Sequence, residues 1–526
     1  MEIAIVIIAY ILTNILIVVN INKFMHIFQQ SFYQIEEFTP ALKTTGAYKI
    51  QLYEIVLLVF SALSFISSYF LILYVFFAIF VAYKTINNRP VAKKKFVYTS
   101  RVKITYSIIA LILVIFTYLV CSFSYFKYIN FVFIILSLYK YVAIGIMLLG
   151  NVIALPILKL LNYHYIKEAK NIINENKKLK VIAITGSYGK TSTKNIVNSI
   201  LEEKYISVMT PKSFNTTLGV VRAIRELVKP YTEVFVCEMG ASKLKDIEDI
   251  CKIVKPDISV ITTIGPQHLT TFKSMENIEK GKFEIITNAK EDAIAVLNID
   301  NEYIQDGIKK YVNGKNVIKY SMNNKEARYT VEDVKMSDKG SIFTVCDGDS
   351  KFTLETRLLG KHNIYNILCA VAIAKELNMT NEEIKKAVKK IKPVEHRLEL
   401  KNMGGILALD DSFNSNPEGS KAAIDTLCMF KDKYKVMVTP GMIELGEKTD
   451  ELNKKLGEYA TVLDYVILVG DVTTKKIEEG MKEKGYSNYI VVKDLYEAFR
   501  KLEELQVSNT NLLAIIENDL PDSYIK

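Results

Sequence analysis

The sequence predicts an α-helical membrane region followed by α/β domains built on mostly parallel sheets. Residues before 165 are almost wholly apolar, whereas those after it have an ordinary globular composition. From residue 180 onward, short apolar runs alternate with helical stretches, the pattern of strands joined by crossover helices. The first of these runs leads through "TGSYGKTS", a tight glycine turn, into a helix. At 526 residues the chain exceeds what a single core usually serves. It reads as a multi-span transmembrane region (1–165), a central α/β domain (166–395) and a C-terminal α/β domain (396–526).

The net charge of +10 is uneven. Residues 1–165 hold 13 Lys/Arg against 4 Glu and no Asp, and the remainder holds 54 against 53. This excess lies between hydrophobic segments, so it reads as membrane topology, and no nucleic-acid partner is expected. Cys121, Cys237, Cys251, Cys346, Cys369 and Cys428 form no C-x-x-C pair. That spacing fits neither a disulfide framework nor a zinc site and suits a reducing compartment.

Residues 3–19 are uncharged and approach the length of a spanning helix. They lack the basic flank and small-residue cleavage site of a signal peptide. Residues 55–83 are uncharged throughout, either one tilted span or a tight hairpin around Ser64–Ser68. Residues 104–122 form a clear span, and 128–158, interrupted by Lys140, contain at least one more. The expectation is four to six spans. The loop 84–103 carries Lys84, Arg89, Lys93, Lys94, Lys95, Arg101 and Lys103 without an acid, which places it in the cytoplasm. Everything after Lys159 is then cytoplasmic too, where ATP is available. The aromatic, amphipathic stretch 20–51 reads as an interfacial helix in contact with membrane lipid, or as a site for a lipid-linked partner.

"VIAIT" followed by "GSYGKTSTKNIVNSIL" is strand, glycine turn and helix, the order of a P-loop. Gly186 and Gly189 let backbone N–H groups turn toward phosphate oxygens alongside Ser187 and Ser192. Lys190 can reach the β/γ-phosphates, and Thr191 can ligate Mg2+. The strict motif is not met, because Ile184 stands where its first glycine would be. The alternation continues through "EVFVCEMGA", which ends on Glu238, then "DISVITTIG" and "AIAVLNID". Acids at the carboxyl ends of parallel strands mark where such sheets bind ligands.

This loop resembles the T-G-[ST]-x-G-K-T-[ST] loop of the Mur ligases, the ATP-dependent amide-forming enzymes of peptidoglycan precursor synthesis. The likeness runs from about Lys180 to about Tyr459 and is greatest to the branch that adds D-alanyl-D-alanine. "SFNTTLGV" (213–220) looks like that branch's N-N-x-x-G segment, with Asn215 matched and Thr216 in place of the second Asn. "EMGA", "GPQHLTTFKSMENIEKGKFEI", "LLGKHNIYNILCA", "DDSFNSNP" and "MIELGE" follow in the family's order.

The resemblance implies that a peptide carboxylate is activated as an acyl phosphate and attacked by an amine. Thr191 and Glu238 suit one Mg2+, and His268, as a neutral imidazole, suits a second. Lys282 looks like the family's carbamylated lysine, with Lys280 as runner-up; by itself Lys282 reads as a solvated helix lysine. Asn363 and Asn366, three apart on a helix face, imply contact with the adenine side of the nucleotide, with Asn298 assisting. Arg397 corresponds to an arginine that swings onto the phosphates, and Asp410 and Asp411 to groups holding the ribose or the closed state. Asn414 and Asn416 would shape the site of the incoming amine. His362 and His396 also fall in matched motifs, whereas His26 and His164 read as structural. The last alternation, "YKVMVTP" to "LLAII", reads as a Rossmann-like domain.

Three departures bear on the substrates. Membrane helices stand in place of the family's UDP-sugar-binding domain. "EHRLE" replaces the branch's Gly-Arg, and "IIENDLPDSY" stands where it carries Lys-Gly-Ser. The acceptor therefore stays open between a UDP-linked muramoyl peptide, a lipid-linked one and another wall peptide such as pseudomurein's. The amine stays open between D-alanyl-D-alanine and another amino acid. The expected setting is the plasma membrane of a prokaryote. A transporter or scaffold with a regulatory nucleotide domain is the alternative of another class, and the near absence of ionisable residues in the spans, essentially Lys140, speaks against it.

Overall fold

A computed structural model describes residues 2–67, 69–87, 95–125, 129–413, 415–443, 445–471 and 473–518. It divides into two compact units, one of residues up to Tyr163 and one from His164 to Leu520.

The first unit is helical. Helices Ala4–Gln30, Tyr69–Asn87, Ser100–Leu119 and Tyr139–Glu175 are long and apolar enough to cross a membrane. Their outward side chains include Ile7, Ile11, Phe76, Leu111 and Val114, the reverse of a helix that faces water. Helix Glu2–Gln30 packs against Tyr69–Asn87, and Thr13 Oγ1 and Tyr74 Oη meet between them at 2.9 Å. The reading that ended the first span at residue 19 is corrected: the helix continues to Gln30. Asn20 does not break it, because its side-chain amide donates back to the Leu16 carbonyl at 2.8 Å. The stretch 20–51 is thus the end of that helix, a turn with positive φ at Phe32 and Tyr33, and helix Ile35–Thr45 closed by left-handed Gly46.

Residues 55–83 fall into two packed helices, Leu52–Leu63 and Tyr69–Asn87, so the hairpin is the form observed. Residues 128–158 likewise break at Leu138, between Ile129–Ser137 and Tyr139–Glu175. Lys140, the ionisable residue singled out within the apolar stretches, is paired with an acid from helix Leu52–Leu63. Lys140 Nζ lies 2.7 Å from Glu54 Oε1, and Tyr139 donates to the same carboxylate. A buried charge persists in apolar surroundings when it is paired in this way.

The second unit holds two sheets. The first contains β1 (Lys180–Thr185), β2 (Ser207–Met209), β3 (Val234–Glu238), β4 (Ile258–Ile261), β5 (Ile294–Asn298), β6 (Asn316–Tyr320), β7 (Tyr329–Ser337), β8 (Gly340–Asp347) and β9 (Ser350–Thr356). Their order is β2-β3-β1-β4-β5-β6-β7-β8-β9, parallel as far as β7 and antiparallel beyond. The parallel strands are buried runs such as "VIAIT" and "VFVCE", as expected when helices cover both faces. One face packs on Ile196, Val197, Ile200 and the helix Lys361–Glu376; the other packs on Val220, Ile224, Ile250, Phe283 and Ala169. Strands β3 and β4 flank β1, so the strand order reverses beside the loop that follows β1.

The second sheet contains β10 (Glu399–Met403), β11 (Ile406–Asp411), β12 (Tyr434–Thr439), β13 (Tyr465–Val469), β14 (Tyr489–Val492) and β15 (Leu512–Glu517). Their order is β10-β11-β15-β12-β13-β14, with the β10–β11 pair antiparallel and the others parallel.

Candidate active site

The loop after β1 is shaped by its glycines. Gly186 has φ +154°, and a Cβ there would collide with Thr262 Oγ1. Gly189 has φ +78° and caps helix Lys190–Leu201. Ser187 ties the loop down: its N–H donates to Thr263 O at 2.7 Å and its hydroxyl to Gly265 O at 2.9 Å. Lys190 folds across the loop, donating to Gly186 O at 2.7 Å and Ser187 O at 3.0 Å. Burial lowers its pKa to about 8, with Glu238 opposing and Arg397 adding. Ser192 is buried in the same helix.

Glu238, at the carboxyl end of β3, is the hub. Thr191 Oγ1 donates to its Oε1 at 3.2 Å and Asn215 Nδ2 at 3.1 Å. Lys194 Nζ lies 3.0 Å from Oε2 and also donates to Lys212 O at 2.6 Å. Lys194 is the site residue that sequence reasoning missed. The available signal was its position one helical turn after Lys190, on a face that also carries Val197 and Leu201.

His268 stands in the left-handed region at φ +54°. Burial, then Lys282 and Lys190, pulls its pKa down to about 4, so the imidazole is neutral at physiological pH. Lys282, read in isolation as a solvated lysine, is 2 % exposed, and this correction follows from helix Met275–Thr287 packing that face inward. Burial holds its amine well below the usual lysine range, with Lys190 adding to the effect. Lys280 is exposed. Among the described residues, no cluster of three or more His, Cys, Asp or Glu side chains is present to hold a metal unaided.

Asn366 reaches the glycine loop from helix Lys361–Glu376. Its Oδ1 accepts from Thr193 Oγ1 at 2.9 Å and lies 3.4 Å from where a Gly189 Cβ would be. Its Nδ2 donates to Asn363 Oδ1 at 3.3 Å. Asn298 ends β5, its amide 3.5 Å from Thr262 O. His362 is half-buried beside Gly360.

Arg397 lies over the Phe413 ring, 4.6 Å from its centroid, and donates to Phe413 O at 2.9 Å. Its charge acts on both Asp411 and Glu238, bringing the second sheet to the hub. The paired acids diverge, because successive strand residues face opposite ways. Asp410 is held by His396 Nδ1 at 2.7 Å and by Lys401. Asp411 faces Arg397, and burial pushes its pKa up to about 6 against that cation. Thr216 and Asn416 both serve as helix N-caps, accepting from Gly219 N at 3.4 Å and Gly419 N at 2.8 Å. Asn416 also lines a cavity with Tyr188 and Gln267, whereas Asn414 lies outside the described residues.

A glycine loop at a strand-order reversal, followed by an acid, a neutral histidine and the cation of Arg397 just before β10, is the arrangement expected of a nucleotide-using α/β enzyme. Residues 184–374 match the Mur ligase middle domain, and residues 396–514 match the Mur ligase glutamate ligase domain. The UDP-N-acetylmuramoyl-tripeptide–D-alanyl-D-alanine ligase of Bacillus subtilis is 31 % identical over 335 residues, 61 % of this chain and 70 % of that protein. The MurF ligase of Thermotoga maritima, solved in complex with ADP, is 27 % identical with a TM-score of 0.61, covering 68 % of this chain and 80 % of its own. A MurF crystal structure from Acinetobacter baumannii shares the fold at TM-score 0.62 and 24 % identity, over 68 % of this chain and 77 % of its own. The chain belongs to the Mur ligase family, ATP-dependent ligases that form peptide bonds.

Proposed function

We propose that this protein joins D-alanyl-D-alanine to the peptide of a muramoyl-tripeptide, from a multi-pass position in the membrane with the two sheets in the cytoplasm. The observation that carries the site assignment is the convergence of Thr191, Asn215 and Lys194 on Glu238, beside Lys190 and within the field of Arg397. Residues 186–191 act as a P-loop for ATP, with backbone N–H groups and Lys190 on the phosphates. Asn298, Asn363 and Asn366 face the base, and Asp411 anchors Arg397 as it approaches the transferred phosphoryl group. The second sheet acts as a Rossmann-like domain that presents the amine, with Asn416 at its edge and Asn215 and Thr216 near the acceptor.

Thr191, Glu238 and neutral His268 fit Mg2+. The bound ions supply charge stabilisation to the phosphoryl oxygens. Lys282 fits carbamylation, since only a neutral amine reacts with carbon dioxide and burial favours that form. The carbamate would add the anion that the local histidine and lysines lack.

A second reading, favoured by four helices of spanning length, is that the acceptor is lipid-linked. Both readings are tested by incubating detergent-solubilised protein with ATP, Mg2+, D-alanyl-D-alanine and either a UDP-linked or a lipid-linked muramoyl-tripeptide. Mass spectrometry then shows which acceptor gains the dipeptide. Gain by neither, with ATP unconsumed, rejects both.

A further inference from the structure

The cavity between the glycine loop and the second sheet is lined by Tyr188, Gln267, Ser415, Asn416, Leu445 and Asn518, among others. Among the described residues, Tyr188 Oη and Gln267 Oε1 are buried there without a hydrogen-bond partner, which fits a polar ligand. Next to Ser415 lies Glu517, 1 % exposed. Ser415 Oγ stands 2.8 Å from Glu517 Oε1 and 2.6 Å from Ser420 Oγ. Ser415 donates to the carboxylate, and either hydroxyl can donate in the Ser415–Ser420 contact; with at most one lone pair so used, the Ser415 oxygen keeps another for a further donor. Strand β15 runs between β11 and β12, and Glu517 is the register partner of Asp411. The pair therefore sits where the strand order reverses.

Amide formation needs a neutral amine, whereas α-amino groups, with pKa about 8, are mostly protonated at pH 7. Lys190, Lys194 and Arg397 are no acceptors for that proton while charged. We propose that Ser415 and Glu517 form the proton relay for the incoming amine, an inference that rests on the ligase reading above. The ammonium proton passes to Ser415 Oγ as the Ser415 hydroxyl proton passes to the Glu517 carboxylate. The freed lone pair attacks the activated carbonyl carbon. The C–N bond forms and the C–O bond to phosphate breaks; phosphate leaves with that electron pair and takes the second proton from the nitrogen, departing as hydrogen phosphate, while Glu517 returns its proton to solvent.

The surroundings of Glu517 suit the task. Burial pushes its pKa up to about 7; the Ser420, Ser415 and Thr439 hydroxyls oppose the rise and Asp411 adds to it. Asp411, from β11, is the charged group acting on Glu517, and Arg397 in turn faces Asp411. The helix Pro417–Cys428 contributes Ser420, and β12 contributes Thr439. A base near the working pH both takes and releases a proton readily.

The test uses the full chain in detergent with ATP, Mg2+ and UDP-linked muramoyl-tripeptide, reading phosphate release with D-alanyl-D-alanine or with hydroxylamine. Hydroxylamine is already neutral at pH 7 and needs no proton removed before it attacks. Glu517→Gln should lower the dipeptide rate about 100-fold more than the hydroxylamine rate, and the break near pH 7 in kcat/KM for the dipeptide should vanish. Ser415→Ala should behave alike. Equal losses with both amines, or an unchanged pH profile, overturn the relay. Wild-type protein that consumes hydroxylamine but ignores the dipeptide rejects the dipeptide assignment instead. The relay is then decided by difference infrared spectra of wild type against Glu517→Gln: a carboxyl band titrating near pH 7 upholds it, and a Glu517 ionised at pH 5 overturns it.

Discussion

Lys194 Nζ lies 3.0 Å from Glu238 Oε2, with both side chains 1 % exposed, so the hub acid is held by a buried ion pair. Removing one partner leaves the other charged and desolvated. Lys194→Ala should lower stability by about 3–5 kcal/mol, read by chemical denaturation. Lys194→Met with Glu238→Met should recover much of that loss, and an equal loss in the double variant would show that the pair itself, and not the stranded charge, carries the stability.

Lys190→Ala should abolish ATP turnover, because this ammonium is the loop's own cation over the positions expected for the β/γ-phosphates. ADP release measured by a coupled assay checks it. Turnover near that of the wild type would remove the glycine loop from the ATP site.

Lys282→Ala should be inactive and regain activity with short carboxylic acids, which restore an anion at that position. Bicarbonate should raise wild-type activity below pH 7 and leave the variant unaffected. Steady-state rates with and without each additive decide whether Lys282 carries the carbamate.

Stability should depend on pH through the second sheet. Asp411 and Glu517 have folded-state pKa values raised to about 6 and about 7. Their contribution is fully present below the unfolded values near pH 4 and is lost as pH rises through 6 to 7. Glu517→Gln should therefore gain in Tm over wild type as pH goes from 5 to 8. His268 has the opposite sign: its pKa is lowered to about 4, so its contribution is present above about pH 6.5 and lost as pH falls through 4. Thermal melts across pH 4–8 of wild type, Glu517→Gln and His268→Gln separate the two.

The full chain should sediment with membranes and resist extraction by alkaline carbonate, as spanning helices do. Glu54→Leu should weaken the helical unit more than Glu54→Gln, since it strips the Lys140 ammonium of its side-chain acceptor and leaves it the Lys49 carbonyl. Release of the full chain by carbonate would reject the spanning assignment.

The parts of the site that residue type reached share a position. The glycine loop and Glu238 follow strand ends, where residue type points to phosphate and metal chemistry, whereas Lys282 comes only from the family resemblance, since by type it reads as a solvated helix lysine. Lys194 escaped because a helix lysine reads as solvated until its partner at the end of β3 is known. Glu54 escaped for the same reason, lying outside the uncharged run that marked the span. The hairpin at Ser64–Ser68 was legible as one of two options, since hydropathy measures length but not the turn. Asp410 and Asp411 read alike in sequence, and only the pleat separates one bound by His396 from one facing Arg397. The antiparallel strands β7–β9 carry no chemistry, and no motif announced them.

The position of β15 bears on how the protein is made. This strand follows the other fourteen of the described residues in chain order and completes the middle of the second sheet, between β11 and β12. Until it emerges, those two strands present bare hydrogen-bonding edges, and Glu517 and Asp411 have not met. A nascent chain halted after residue 500 can finish the first sheet while its second half waits with open edges, a target for holding chaperones and for strand pairing with its neighbours. A product terminated before β15 would carry the glycine loop but lack the strand that joins β11 to β12.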